Sequence, residues 1–210
     1  MGARHGIRAA LLAGVVLSGP ALADDLADAQ RAYAAGDYAT AAITYHGLAQ
    51  AGNAAAQYNL GLIYLRGRGL PQSFENALFW GWKAKLSGLS DADSLLLTLK
   101  DLTAEDVIRR TADRLLESYM IEIDAGEPAA MVAYARVLVD LHPKPDMETA
   151  FVWLSIAAAL GADGAERRRD IVLSQIEEAK RAAAQQKTTD EMTAWCERTS
   201  ASVPVCALLF

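Results

Sequence analysis

Apolar positions along the chain recur at three- and four-residue intervals, the spacing of one face of a helix. Nowhere do they alternate over a stretch long enough for a strand. The pattern predicts an all-helical chain. DDLADAQRAYAAG and DYATAAITYHGLAQAG make a first pair of helices, Gly36 closing one and Asp37 capping the next, with Ala41, Tyr45 and Leu48 on one face. After Gly52-Asn53 comes AAAQYNLGLIYLRGRGLPQSFENALFWGWKAKLSG, residues 54–88: a helix, a Gly-rich turn, and a second helix that Ser73 can cap. Residues 89–99 predict a short leucine-rich helix. Thr103 to Asp106 read as a cap with acids in the first turn of a helix that runs to about Asp124. Gly126-Glu127-Pro128 is the clearest boundary in mid-chain. A helix over residues 129–141 is stopped by His142-Pro143-Lys144-Pro145, since proline cannot sit inside a helix. Asp146 caps the next helix, which ends near Gly161. Ala162 to about Gln186 is helical and highly charged, and from Lys187 a short helix through Trp195 leads into a loop closed by Cys206.

The N-terminus follows a different logic. Arg4, His5 and Arg8 flank the start of an apolar run, Ile7 to Leu17, shorter than the ~20 residues a membrane span needs. Gly19-Pro20 breaks the run, and Ala21-Leu22-Ala23 is a small-x-small site. A basic start, an apolar middle and a small-residue site predict a secretory signal peptide over residues 1–23, cleaved between Ala23 and Asp24. The expected location is periplasmic or secreted. No later stretch is apolar enough for a membrane helix.

Residues 54–88 recur in altered form at residues 129–161. Gly61 meets Ala135 and Tyr64 meets Leu138; after the turn Ala77 meets Ala150, Trp80 meets Trp153, Ala84 meets Ala157 and Gly88 meets Gly161. The register changes by one residue inside the turn. The match continues beyond it, because residues 92–115 and 165–184 each hold a short helix and then a longer one, so the duplicated unit is about four helices long. Small residues at Gly61, Ala77 and Ala84 let two helix axes approach to roughly 8 Å, and Trp80 and Tyr64 fill the space above and below. One hairpin leaves an apolar face that the next must cover, which is the logic of a solenoid.

Ala56, Leu60-Gly61, Tyr64, Gly67-x-Gly69, Ala77, Trp80, Ala84 and Gly88 resemble the Sel-one-like repeat, a relative of the tetratricopeptide repeat. Ser73 stands where that family expects an acid and Lys85 where it expects a second alanine. The later copy keeps Asp146, Ala150, Trp153, Ala157-Ala158 and Gly161, but has Tyr134-Ala135 for the Leu-Gly pair and loses the Gly-x-Gly turn. Gly36-Asp37-Tyr38, Ala41, Tyr45, Leu48-Ala49 and Gly52 resemble the ordinary tetratricopeptide form. The resemblance implies a right-handed α-solenoid of antiparallel helix hairpins. Its division is a tetratricopeptide-like hairpin over 24–52 and Sel-one-like units over 53–124 and 127–186, followed by a C-terminal tail over 187–210. It also implies an interaction scaffold that binds a protein or peptide along a groove lined by the first helix of each hairpin. On helical spacing, Tyr33, Tyr58, Leu62, Arg66 and Arg136 are the candidates to line it, and tyrosine and arginine are enriched at binding hot spots.

Charge and chemistry narrow the function further. The chain has 20 basic and 26 acidic residues, net −6; without Arg4 and Arg8 it has 18 against 26, net −8. No basic stripe for nucleic acid is expected. Arg167-Arg168-Arg169, answered by Glu166 and Asp170, reads as a solvated helix face. Cys196 and Cys206 are the only cysteines and are expected to pair in an oxidising compartment; with no histidine nearby they do not suit a metal. No catalytic or cofactor motif is present, and Gly67-x-Gly69 follows a helix instead of the strand a phosphate loop requires. The chain is therefore read as non-enzymatic and cofactor-free, and His46 and His142 as packing or surface residues. The alternatives are a structural subunit of an envelope or secretion complex, and a cell-wall-active enzyme with acids gathered at hairpin ends. Trp80 and Trp153 hold matching repeat positions and belong to the core, whereas Trp82 is a neighbour contact or a binding residue. The apolar end, Val203 to Phe210, either caps the solenoid or docks on another chain.

Overall fold

The computed structural model describes residues 20–199 and 203–208, with side chains from residue 24 onward. Among these residues there are ten α-helices and no strand: α1 (Pro20–Ala34), α2 (Tyr38–Gln50), α3 (Ala54–Arg66), α4 (Phe74–Leu86), α5 (Ala92–Lys100), α6 (Glu105–Asp124), α7 (Pro128–Arg136), α8 (Met147–Ala159), α9 (Ala165–Gln175) and α10 (Glu178–Arg198). Most of the anticipated signal peptide, residues 1–19, lies outside the described residues, and α1 already begins at Pro20, ahead of the expected cleavage point.

Local chemistry sets most helix starts. Asp37, Asn53, Ser73 and Asp146 each accept a hydrogen bond from the backbone N–H three residues on, at 2.9 to 3.2 Å, which satisfies an amide the helix leaves free. Thr103 does not cap α6 as its sequence context predicts. Its hydroxyl instead donates to the Leu99 carbonyl at 2.8 Å, and α6 starts from Ala104 without a side-chain cap.

Helices α1 and α2, α3 and α4, and α7 and α8 pair as hairpins, while α6 packs on α4 and α10 on α8, so that the odd-numbered helices form one side of the molecule and the even-numbered ones the other. Arg66 of α3 donates to the Tyr33 hydroxyl of α1 on the first side. On the second side, Lys83–Glu122 at 2.7 Å and Arg110–Glu75 at 3.0 Å join α4 to α6, and Lys187–Glu148 at 2.8 Å joins α10 to α8. Between the rows runs one continuous apolar core. Trp80, Trp82, Trp153 and Trp195 are all buried in it, which settles Trp82 as a packing residue.

Two further features differ from what the sequence pattern predicts. The Gly-rich turn does more than connect α3 to α4. Gly69 has φ +87°, and a Cβ there would overlap the backbone carbonyl of Tyr38, so the turn is seated against the start of α2. The C-terminal helix is also one piece from Glu178 to Arg198, without the break expected at Lys187, because no glycine or proline interrupts it. Its length carries Trp195 to α6, where the indole N–H donates to the Ile123 carbonyl at 2.9 Å. The Cys196–Cys206 disulfide, with Cα atoms 5.5 Å apart, holds the 3-10 turn Pro204–Leu208 against α10. Val203 packs on the core while Leu208 projects outward.

Candidate functional site

The residues chosen from helical spacing fall on the side formed by the odd-numbered helices, in two separate groups. Tyr33, Tyr58, Leu62 and Arg66 lie on α1 and α3, and Arg136 lies on α7. Tyr58 and Leu62 are half-buried, their inner sides packed on the core. Arg66 is exposed in the last turn of α3, with Nη1 3.2 Å from the Tyr33 hydroxyl. Tyr33 also meets Tyr38 edge to face, with ring centroids 4.9 Å apart. Arg68 completes this group, its guanidinium 5.5 Å from the Tyr38 ring centre. Among the described residues neither Arg66 nor Arg68 pairs with a carboxylate. Burial raises the Tyr33 pKa, but hydrogen bonds and charge from Arg66 and Arg68 outweigh it and leave the phenol below the usual tyrosine range. Sequence spacing finds Tyr33 and Arg66 but misses Arg68, which reaches the face from the turn after α3, and Tyr38, the first residue of α2.

Arg136 sits in a different setting. It is half-buried between α7 and α9, its side chain only 17% exposed. Arg168, in the first turn of α9, lines the same two hollows, of about 170 and 220 Å³, one on each side of the arginine pair. Burial pushes the Arg136 pKa down, the positive charge of Arg168 adds to that, and Asp140 opposes it. Arginine starts high enough to stay charged. Arg169, not Arg168, takes Asp170 as its partner, at 2.8 Å. The basic run is thus a solvated face only in part.

A larger cleft of about 620 Å³ opens on the even-numbered side, and no sequence signal pointed to it. Phe79, Trp80 and Lys83 of α4 face Tyr119, Ile121 and Glu122 of α6 across it. Lys83 lies 3.9 Å from the Tyr119 ring centre while bonding to Glu122 at 2.7 Å, so its charge is already matched. Burial first, and then the charge of Glu122, push the Tyr119 phenol well above its ordinary range. His46 meets Trp80 edge to face at 6.1 Å, and His142 bonds within its own turn, with Nδ1 2.8 Å from the Lys144 carbonyl oxygen. No described helix is long and apolar enough to cross a membrane.

Arginines without acidic partners beside flat aromatic rings, on a face built from successive helices, can grip a polypeptide by hydrogen bonds and ring contact. Two segments of the chain, residues 54–88 and 128–161, match the family described as the Sel1 repeat. The offset between the two matches falls by one residue from start to end, in agreement with the shorter turn of the second copy. No curated protein matches the chain in sequence. A solved structure, that of a protective antigen present in uropathogenic Escherichia coli strains and described as displaying an SLR fold, is similar at 17% identity with a TM-score of 0.34. The match covers 76% of this chain and 41% of that antigen, so the chain spans less than half of the antigen's length. Repeats of the Sel1 type generally mediate protein–protein interaction.

Proposed function

We propose that this Sel1-repeat protein is an exported, non-enzymatic adaptor that binds a protein or extended peptide along the face of its odd-numbered helices. The observation that carries the reading is the arginine–tyrosine group at Tyr33, Tyr38, Arg66 and Arg68. In a chain of net charge −6, these two guanidinium groups have no carboxylate partner among the described residues, although acids elsewhere are drawn into ion pairs. Interface hot spots favour this combination of residues, large rigid rings and multi-donor cations. A cysteine pair closed as a disulfide supports an oxidising compartment outside the cytosol, as does the signal-like N-terminus.

The test compares wild type with Tyr58→Ala/Arg66→Ala as baits in the envelope fraction of the exporting organism, read by mass spectrometry. The double variant is expected to keep its helical circular dichroism and to lose, by tenfold or more, the proteins that wild type enriches. Equal recovery by both baits would remove this face from consideration.

A further inference from the structure

The second copy of the repeat carries two arginines where the first carries two leucines. The repeat register pairs Leu62 of α3 with Arg136 of α7, and Leu95 of α5 with Arg168 of α9. In the first copy both leucines pack on the core, and Leu95 is only 2% exposed. In the second copy the same two positions line paired hollows and bring two like charges together. Arg136 Nε is buried without a hydrogen-bond partner. Its nearest carboxylate oxygen, on Asp140, is 3.7 Å away, an ion pair too long to be a hydrogen bond. The Arg168 side chain has no hydrogen bond or ion pair among the described residues, while Arg169 beside it does. A buried N–H without a partner beside a second cation is unfavourable unless something negative completes the arrangement.

The walls say what that something is. Leu86, Val132 and Ala133 border the hollow on one side of the arginine pair, and Val139, Leu154 and Ile171 the hollow on the other. Ile171 is 53% exposed, an apolar side chain left facing solvent at the rim. Asp163 lines one of the hollows and Asp140 the other. A free inorganic anion would meet the arginines but leave both apolar hollows empty. A segment with a carboxylate side chain and an apolar residue on each side meets all three. Guanidinium presents parallel N–H groups that match a carboxylate oxygen pair.

We propose that the groove between α7 and α9 holds an acidic side chain of an extended peptide, at Arg136 and Arg168, with apolar neighbours of that side chain in the two flanking hollows. The inference rests on the reading of the odd-numbered face as a peptide-binding surface, and it names the charge and spacing of one position in the ligand. The overall negative charge of the chain sharpens the selection, since an acidic segment is repelled elsewhere and attracted at Arg168, which has no carboxylate partner among the described residues, and at Arg136, whose one carboxylate neighbour stands 3.7 Å away.

The probe is an array of immobilised nonapeptides with a central glutamate, glutamine or lysine and leucine or valine on both sides, exposed to the purified full chain. Wild type is expected to retain glutamate-centred peptides at least tenfold more strongly than their glutamine counterparts. Arg168→Gln, an exposed position that leaves the core intact, is expected to abolish that preference, and Arg136→Gln likewise. Arg167→Gln, one residue away, is expected to keep it. Equal retention of glutamate and glutamine peptides would overturn the acidic seat and leave the groove reading standing. A preference that survives Arg168→Gln, or falls equally with Arg167→Gln, would overturn the assignment to this pair. Retention of no peptide would overturn the acidic seat and the groove reading together.

Discussion

In the first Sel1 repeat, α3 and α4 meet at Gly61 and Gly81; in the second, α7 and α8 meet at Ala135 and Leu154. The glycines let the first pair of backbones come so close that a Cβ on Gly61 would lie 3.3 Å from the Ala77 carbonyl oxygen and 2.8 Å from Leu95 Cδ2. Leu95 fills what room is left. The second hairpin has a Cβ at that place already, and its neighbour at the Leu95 position is Arg168, not a leucine. The turns diverge in the same way. Gly67 ends α3 in the left-handed region, at φ 65° and ψ 36°. Leu141 stands at that register in the second copy, where a β-carbon disfavours such a conformation, so α7 instead widens into a π-turn over Val137–Leu141 and leaves through an extended His142. One copy is thus sealed by glycine and leucine. The other keeps the fold with bulkier contacts and leaves a charged opening on its outer side. A duplicated unit can hold its architecture while one copy departs from the other in the packing and charge of its outer side.

The sharpest way to break this contrast is to truncate the tryptophans. Trp153 is buried in α8 and meets Tyr134 edge to face at 5.8 Å, so Trp153→Ala is expected to destabilise by about 3–5 kcal/mol in urea denaturation. Trp80, slightly less buried, is expected to cost less when truncated; the reverse order would contradict the assignment of the bulk-packed core to the second copy. Next is the disulfide. Cys206→Ser opens a short loop and is expected to cost roughly 3 kcal/mol on a chain-entropy basis. Hydrogen exchange should then show α10 and the helices it packs on, α6 and α8, losing protection before α3 and α4, because the disulfide fixes the end of α10 and Trp195 bonds to α6. Third, Gly61→Ala should destabilise by about 1–3 kcal/mol although alanine is the better helix former, since the new methyl meets the α4 backbone. Ala135→Gly should also destabilise, by about 1 kcal/mol, through helix propensity alone. If Gly61→Ala raises the melting temperature, the close approach is not what distinguishes the first copy.

The repeat was legible because its determinants are local: small residues and a tryptophan at fixed offsets decide how near two adjacent helices can come. The same locality explains what was missed. The partner of Trp195 is Ile123, 72 residues earlier, and nothing near Trp195 in sequence announces it. Arg168 looked matched because Glu166 and Asp170 flank the run, yet the direction of the helix gives Asp170 to Arg169. Tyr33 and Arg66 lie on first helices and follow from spacing, whereas Arg68 reaches the same group from a turn, where helical periodicity has no hold, and Tyr38 from the first residue of α2, a second helix. Thr103 failed as a cap because its hydroxyl found the Leu99 carbonyl first.

The smallest effect separates the two copies at the start of their second helices. Ser73 accepts one backbone N–H, from Asn76 at 3.2 Å, a neutral and rather long bond. Asp146 accepts the Thr149 N–H at 2.9 Å and the Thr149 hydroxyl at 2.7 Å, and its charge faces the positive end of α8. A charged cap with two donors should hold its helix more firmly than a neutral one with a single donor. Asp146→Ala is therefore expected to cost about 1–2 kcal/mol, and Ser73→Ala about 0.5–1 kcal/mol, both at the scale of ordinary N-caps. Paired thermal melts of the two variants check the order. Salt sharpens the distinction, because screening weakens the charge–dipole part of the Asp146 cap and leaves the Ser73 cap unchanged. The gap between the two variants should then narrow as ionic strength rises; a gap independent of salt would mean that hydrogen-bond geometry alone, and not charge, makes the second copy's cap the stronger.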